Sequence, residues 1–195
     1  MGLRDILTGR HEVKGPAPDR LFAISTAYVT LQAEHQIDSA GTAAVVFQAL
    51  ATGEFESTLR ETEEVVKATG GESATGVATQ DDSFGYRWMV LTSPQGKPSV
   101  EDLAVAVNAV SSSIETSGYG ERLLCAVFAF ADARGGRIYF IYNYKRGYWY
   151  PFVPDPAKER ERLTERELQI KAQMESELPI EPELERWFPL WGIPI

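Results

Sequence analysis

Residues 123–153 read LLCAVFAFADARGGRIYFIYNYKRGYWYPFV, and this stretch decides the fold. Two apolar runs, 123–131 and 137–144, flank a turn at Gly135–Gly136, which is typical of a β-hairpin. A second turn at Lys145–Gly147 leads into a third run that ends the stretch. Side chains of the middle run alternate between two faces, as the pleat of a strand requires. The stretch therefore predicts three antiparallel strands.

Helix and strand patterns alternate irregularly on the N-terminal side of this stretch. The spacing of apolar residues predicts a helix that starts at Asp19, a buried strand over 42–50, a surface helix over 54–68 and a strand over 84–92. The intervening segment 70–82 is polar and rich in glycine, which indicates a loop.

The clearest helix signal of the sequence begins at Ser99. Asp102 follows three residues later, an arrangement that resembles a capping box. From Val100 to Ile114 apolar residues recur every three or four positions, so one face of this helix should pack against a sheet. Because helices are interspersed with hairpins, the sequence predicts an α+β fold with an antiparallel sheet and packed helices.

The chain divides by composition into three parts. We expect an N-terminal arm and linker over residues 1–18, an α+β core domain over 19–154, and a C-terminal region over 155–195. Asp155 followed by Pro156 predicts the start of a charged C-terminal helix. The apolar, aromatic tail beyond this helix should fold back on the core, or else serve as a partner-binding motif.

Composition limits the classes of partner and the compartment. The chain has 19 basic and 28 acidic residues, a net charge of −9, which argues against nucleic acid as a partner. The single cysteine, Cys125, permits no intrachain disulfide and favours a reducing cytoplasm. No apolar run approaches the ~20 residues of a transmembrane helix, and the first residues lack the apolar core of a signal peptide. We expect a cytoplasmic protein without a transmembrane segment.

Motifs for cofactors and catalysis are absent from the sequence. His11 and His35 are the two histidines, and with one cysteine they predict no metal site. The sequence contains no phosphate-binding glycine loop, and the segment 71–76, GESATG, does not match a nucleophile elbow. Asp81–Asp82 is expected to lie in a solvated loop. We therefore predict no cofactor, no catalytic residue and no enzymatic activity.

Two aromatic clusters, residues 143–152 and 186–195, are the candidate sites. Each cluster has a core interpretation and a docking interpretation, because tyrosine, tryptophan and arginine are enriched where partners bind. The residues predicted to bind protein are Tyr144, Lys145, Arg146, Tyr148, Trp149, Trp187 and Trp191.

Three unusual strings carry a family resemblance: GERLLCAVF at 120–128, IYNYKRG at 141–147 and RWFPLWG at 186–192. With them, the chain resembles the PspA-associated PspAB family of the phage-shock system. The resemblance implies a non-enzymatic accessory protein whose partner is PspA, a coiled-coil protein that coats stressed membranes, or another helical protein. It implies membrane contact only through that partner and leaves a homodimer open. The order of elements is also similar to that of YbjN and secretion-chaperone-like proteins, a similarity of fold alone.

Two functional hypotheses follow from these features. The first is an adaptor or chaperone-like module that binds a helical partner through the sheet edge and turn around Tyr144–Tyr150. The second is a small-ligand protein or enzyme that uses the Asn143–Tyr150 surface, with Arg122, Lys145 or Arg146 holding an anion. A long shallow groove or an exposed aromatic strip would favour the first, and a deep apolar pocket with a polar tip the second.

Overall fold

The computed structural model describes residues 18–69, 75–94 and 98–195. The predicted N-terminal arm, residues 1–18, therefore lies outside the described residues except for Pro18. In the described ranges, six antiparallel strands form one open sheet in the order β2-β3-β1-β4-β5-β6. The strands are β1 (Ile37–Gln48), β2 (Gly76–Asp81), β3 (Tyr86–Thr92), β4 (Leu123–Asp132), β5 (Arg137–Asn143) and β6 (Tyr148–Phe152).

Within the described residues, four α-helices accompany the sheet, which confirms the predicted α+β class. They are α1 (Pro18–His35), α2 (Gly53–Thr69), α3 (Val100–Ile114) and α4 (Thr164–Met174). A π-helical turn, Glu115–Tyr119, and a 3-10 turn, Gly120–Arg122, join α3 to β4. Among the described residues, none of the helices combines the length and the apolarity that a bilayer crossing requires.

The start of α3 is the one that the sequence predicts. Ser99 is the N-cap, and its Oγ accepts a hydrogen bond of 3.0 Å from the backbone N–H of Asp102. The predicted apolar stripe from Val100 to Ile114 is buried, and α3 packs against α1, α2 and β1.

The two faces of the sheet are covered by different parts of the chain. On one face, the Phe47 ring of β1 contacts Phe55 of α2, and Trp149 Nε1 of β6 donates to the Arg20 carbonyl of α1. Neighbouring residues of a strand point to opposite faces. Tyr150 accordingly stacks on Trp187 of the C-terminal tail on the other face. Helices α1–α3 therefore cover one face, and the tail covers part of the second.

Strand β1 begins five residues earlier than the predicted strand over 42–50. Gly41 lies within it at φ = +72°, a conformation that glycine adopts without strain. The pairing of β1 with β4 shifts between Ser39 and Ala43, so Gly41 sits at a β-bulge rather than at a break between elements.

The prediction of a loop over 70–82 is wrong for residues 76–81, which form the edge strand β2. Its side chains are mostly exposed and polar, because an edge strand far from the core buries little of either face. Thr79 Oγ1 donates to Glu63 of α2 at 2.5 Å, which ties this edge to the helical layer.

The predicted helix start at Asp155 is also wrong, since α4 begins at Thr164. Asp155 instead accepts the N–H of Ala157 at its Oδ1 and turns the chain away from a helix. The chain then returns, and the Leu163 N–H donates to the Val153 carbonyl at 2.8 Å. A closed loop thus forms ahead of the helix.

Residues 179–181 cover the outer edge of β6. The Trp149 N–H donates to the Pro179 carbonyl at 2.9 Å, and the Glu181 N–H donates to the Trp149 carbonyl at 2.8 Å. These bonds form a short parallel bridge between Trp149 and Ile180. This segment of the tail therefore packs on the core.

Candidate binding cleft

An open cleft of about 360 Å³ lies on the sheet face that α1–α3 leave uncovered. Residues 82–86, the turn between β2 and β3, form one side, which we call the hairpin wall. Residues 188–191 of the tail form another, which we call the tail wall. Between them, the strands supply a largely apolar floor. The floor residues are Val46, Trp88, Leu124, Cys125, Asn143 and Tyr150.

The cleft runs across the strands rather than along them. Trp88 of β3 pairs with Val46 of β1, Val46 pairs with Cys125 of β4, and Cys125 pairs with Asn143 of β5. These four floor residues form one row across four strands. Three inter-strand steps of about 4.8 Å make the row about 14 Å long. The hairpin wall stands at the β3 end, and Lys145 lies just beyond the β5 end.

Asp82 organises the hairpin wall. Its Oδ1 accepts the backbone N–H groups of Phe84 and Tyr86 at 2.8 and 2.9 Å, and its Oδ2 accepts Trp88 Nε1 at 2.9 Å. Gly85 supplies the turn with φ = +84°. Because the carboxylate fixes the backbone, the Phe84 side chain is held outward, 56% exposed at the cleft mouth.

The tail wall is anchored on both sides of Phe188. Trp187 is buried, and its Nε1 donates to the Glu181 carbonyl at 2.9 Å. The Tyr150 hydroxyl donates to the Phe188 carbonyl at 3.0 Å. The Phe188 side chain is 59% exposed beside the cleft, whereas Trp191 packs edge-on against Phe152. A fixed backbone thus presents an exposed aromatic side chain, as in the hairpin wall.

The floor of the cleft is uncharged at neutral pH. Burial raises the pKa of the Cys125 thiol to about 12. Burial likewise raises the pKa of the Tyr150 hydroxyl well above its usual value of 10.0. Both groups stay protonated near pH 7, so apolar contact dominates at the bottom of the cleft.

Three of the predicted binding residues are core residues. Tyr144, Trp149 and Trp187 are 6%, 0% and 4% exposed, so their side chains are closed to a partner in this structure. The reason is that α1 covers Trp149, while residues 179–181 occupy the sheet edge that we had expected to be free. That edge is therefore paired rather than free in this structure, and the assignment of these three residues to protein binding stays a prediction.

The other predicted residues have different surroundings. Arg146 Nε donates to Glu181 at 2.6 Å, so its charge is already paired. Tyr148 is half-buried under the Arg20 guanidinium, which lies 5.2 Å from the ring centroid. Lys145 and Trp191 both line the cleft. Of the seven predicted residues, the structure brings only these two together at the cleft.

The aromatic side of the hairpin wall is not among the sites that the sequence predicts. The pattern predicts a solvated loop at Asp82 and a strand that contains Phe84 and Tyr86. The string DDSFGY, an Asx-type turn followed by aromatic residues around a glycine, was the available signal. This string lies about one hundred residues before the tail, so the sequence does not indicate that the two walls face the same cleft.

Metal-binding arrangements are not found in the part of the chain that the structure describes. No group of three or more histidine, cysteine, aspartate or glutamate side chains comes together within residues 18–69, 75–94 and 98–195. His35 ends α1, and His11 lies outside the described residues.

The fold and the cleft define a class: α+β proteins whose antiparallel sheet carries helices on one face and an open, aromatic-lined cleft on the other. The family model for PspAB, PspA associated protein B, matches residues 1–195, and the chain belongs to this family. The match confirms the family resemblance seen in the sequence. No curated protein and no solved structure gave a match. The similarity to YbjN and secretion chaperones thus stays a prediction.

Proposed function

We propose that this protein is a non-enzymatic accessory protein of the PspA membrane-stress response, and that its cleft binds a helical segment of PspA. The family name supports an association with PspA. Helix-in-groove recognition requires an apolar groove that receives side chains from one face of an amphipathic helix. The floor row, about 14 Å long, matches the length of about nine helical residues at 1.5 Å each.

The observation that carries this proposal is the pair of exposed phenylalanines at the mouth of an apolar cleft. Phe84 and Phe188 come from different walls and are each more than half exposed. Exposed aromatic residues beside a concave apolar surface are typical of protein interfaces. An apolar guest in this cleft would release the water that solvates the apolar floor, which favours binding.

The chemistry of the lining supports binding rather than catalysis. The Asp82 carboxylate accepts three hydrogen bonds from its own hairpin, which commits it to a structural role. With a pKa of about 12, the Cys125 thiol is a poor nucleophile at pH 7, since about one molecule in 10⁵ is ionised.

A second candidate function is supported by the volume of the cleft. At about 360 Å³ it falls within the usual range of small-molecule sites, and Asn143 and Lys145 place polar groups at one end. An amphiphile with an anionic head would suit this end. This candidate corresponds to the small-ligand or enzyme hypothesis for the Asn143–Tyr150 surface, since Asn143, Lys145 and Tyr150 line the cleft. Native mass spectrometry of protein purified from its host would detect a bound amphiphile as a discrete added mass.

Calorimetric titration with PspA from the same organism tests the main proposal. We expect the double variant Phe84→Ala/Phe188→Ala to weaken binding by at least about 30-fold, since interface hot spots cost about 2 kcal/mol or more. The matched control is Val29→Ala/Val105→Ala, which removes two exposed apolar side chains on the helical layer. Equal affinities for wild type and both double variants would exclude the cleft as the binding site.

A further inference from the structure

Among the described residues, two charged side chains line the cleft, and their surroundings differ. Asp82, at the β3 end, is saturated by the two backbone N–H groups and the indole N–H that hold the hairpin wall. Lys145, at the β5 end, is exposed. Its backbone N–H donates to Asn143 Oδ1 at 3.0 Å, but within the described residues its ammonium group makes no hydrogen bond or ion pair.

The neighbouring cations are already committed. Arg146 pairs with Glu181 at 2.6 Å. Arg20 donates from Nη1 to the Gly147 carbonyl at 3.2 Å and lies over the Tyr148 ring. Of the charged groups at the cleft among residues 18–69, 75–94 and 98–195, the Lys145 ammonium is therefore the one that is free to meet a guest. A guest with a negative group at this end would gain an ion pair without breaking one.

We propose that Lys145 receives an acidic side chain of the bound helix and thereby fixes the direction in which that helix lies in the cleft. This inference rests on the proposed function and names its partner chemistry: an amphipathic helix with an aspartate or glutamate beside its apolar anchors. The floor row gives the helix an axis across the sheet, from Trp88 to Asn143. An apolar row alone would accept the helix in either direction, whereas a single free cation at one end distinguishes the two.

The charge of the whole chain makes this local contact selective. With a net charge of −9, the protein repels acidic segments at a distance. Lys145 therefore gives an acidic helix a local attraction at the cleft that the net charge of the chain does not provide. Such a contact at the border of an interface acts mainly on the association rate and its salt dependence.

The test is a charge exchange followed by surface plasmon resonance at low and high ionic strength. Wild-type protein first identifies the bound segment among overlapping peptides of PspA, and alanine substitution then finds its most sensitive acidic residue. We expect Lys145→Glu to weaken binding about five- to tenfold at low salt, chiefly through slower association, and Lys145→Met about two- to fivefold. A PspA peptide in which the sensitive acidic residue is replaced by lysine should bind the Lys145→Glu variant better than the unchanged peptide does. The same peptide should bind wild-type protein more weakly.

The control variant is Lys158→Glu, which changes the net charge equally on an exposed side chain outside the cleft lining. We expect it to bind within about twofold of wild type. If Lys145→Glu binds like Lys158→Glu while Phe84→Ala/Phe188→Ala weakens binding, the cleft is correct and the role of Lys145 is wrong. If wild-type protein binds neither PspA nor its peptides, both the proposed function and this inference are wrong.

Discussion

Arg146 Nε donates to Oε2 of Glu181 at 2.6 Å, and this ion pair joins the β5–β6 turn to the C-terminal tail. The Glu181 carboxylate is buried, at 2% side-chain exposure, and its second cation, Arg186, is more distant at 3.7 Å. This pair commits Arg146, one of the two cations of the turn, to the tail. It also holds the segment that leads into the tail wall.

Arg146→Ala should therefore destabilise the protein. Removing the cation leaves the buried Glu181 carboxylate with two longer contacts, the Glu183 N–H at 3.3 Å and Arg186 at 3.7 Å, which costs about 1–3 kcal/mol. Chemical denaturation measures the change in the free energy of unfolding. Lys158→Ala is the control, because its pair with Glu161 is exposed and should contribute less than about 1 kcal/mol. Equal stabilities of the two variants would show that the Arg146 pair does not hold the tail.

Adjacent aromatic residues of the tail should differ sharply in their effect on stability. Trp187 is 4% exposed and stacks on Tyr150, so Trp187→Ala should cost about 3–5 kcal/mol. Phe188 is 59% exposed, so Phe188→Ala should stay within about 0.5 kcal/mol of wild type. Thermal melts of both variants measure this contrast. Similar losses would contradict the division of the tail into a buried anchor and an exposed wall.

Deleting residues 179–195 should lower the melting temperature by more than either substitution. The deletion removes Trp187 and also uncovers the edge of β6, where residues 179–181 pair with Trp149. An exposed edge strand favours association between chains. Light scattering should therefore detect aggregation along with the lower melting temperature. A monodisperse truncated protein with an unchanged melting curve would mean that the tail contributes nothing to the core.

Asp82→Ala should loosen the hairpin wall. The substitution leaves two backbone N–H groups and the Trp88 indole without their acceptor, which costs about 1–3 kcal/mol. Asp82→Asn keeps one carbonyl acceptor and should fall between the alanine variant and wild type. Because Trp88 is buried in the floor, its fluorescence emission should shift to longer wavelength as the wall opens. An unshifted emission spectrum for Asp82→Ala would contradict the role of this carboxylate.

The Cys125 thiol should report on pH and on occupancy of the cleft. Its pKa is raised to about 12 from the ordinary 9.0, so alkylation should be slow at pH 7 and accelerate about tenfold per pH unit toward pH 10. Burial of the protonated thiol also makes the stability depend on pH. In the unfolded chain the thiol ionises near pH 9, so the contribution of the protonated thiol to the free energy of unfolding is intact below pH 9. It is lost as the pH rises from about 9 toward 12. Alkylation with a maleimide, followed by mass spectrometry, measures the rate.

A bound helix should slow this alkylation, because Cys125 lies in the floor. Urea-denatured protein provides the fully reactive control. Rapid labelling of folded protein at pH 7, or labelling unaffected by saturating PspA, would contradict the position of Cys125 beneath the guest.

Local signals in the sequence predicted much of the fold. The Ser99 cap, the hairpin from 123 to 144 and the buried face of α2 depend on neighbouring residues, and their patterns are strong. The start of α4 depends instead on the pairing of Leu163 with Val153, which competes with the local cap at Asp155. Local propensity cannot reveal that competition.

The cleft was less predictable because it joins distant parts of the chain. Lys145 and Trp191 were identified, but their partners in the hairpin wall were not. Trp149 illustrates the opposite error. Its residue type suggested an interface, but the pairing of β6 with β5 directs its side chain to the face that α1 covers. Strand register and the path of the tail decide which aromatic residues are exposed.

The most direct test of the central claim is photo-crosslinking from the cleft to PspA. Benzoylphenylalanine in place of Phe84 or Phe188 should capture PspA, and both positions should map to the same short helical segment. The same probe in place of Val105, which is exposed on α3, should capture none. Crosslinks from position 105 but from neither wall of the cleft would contradict the account.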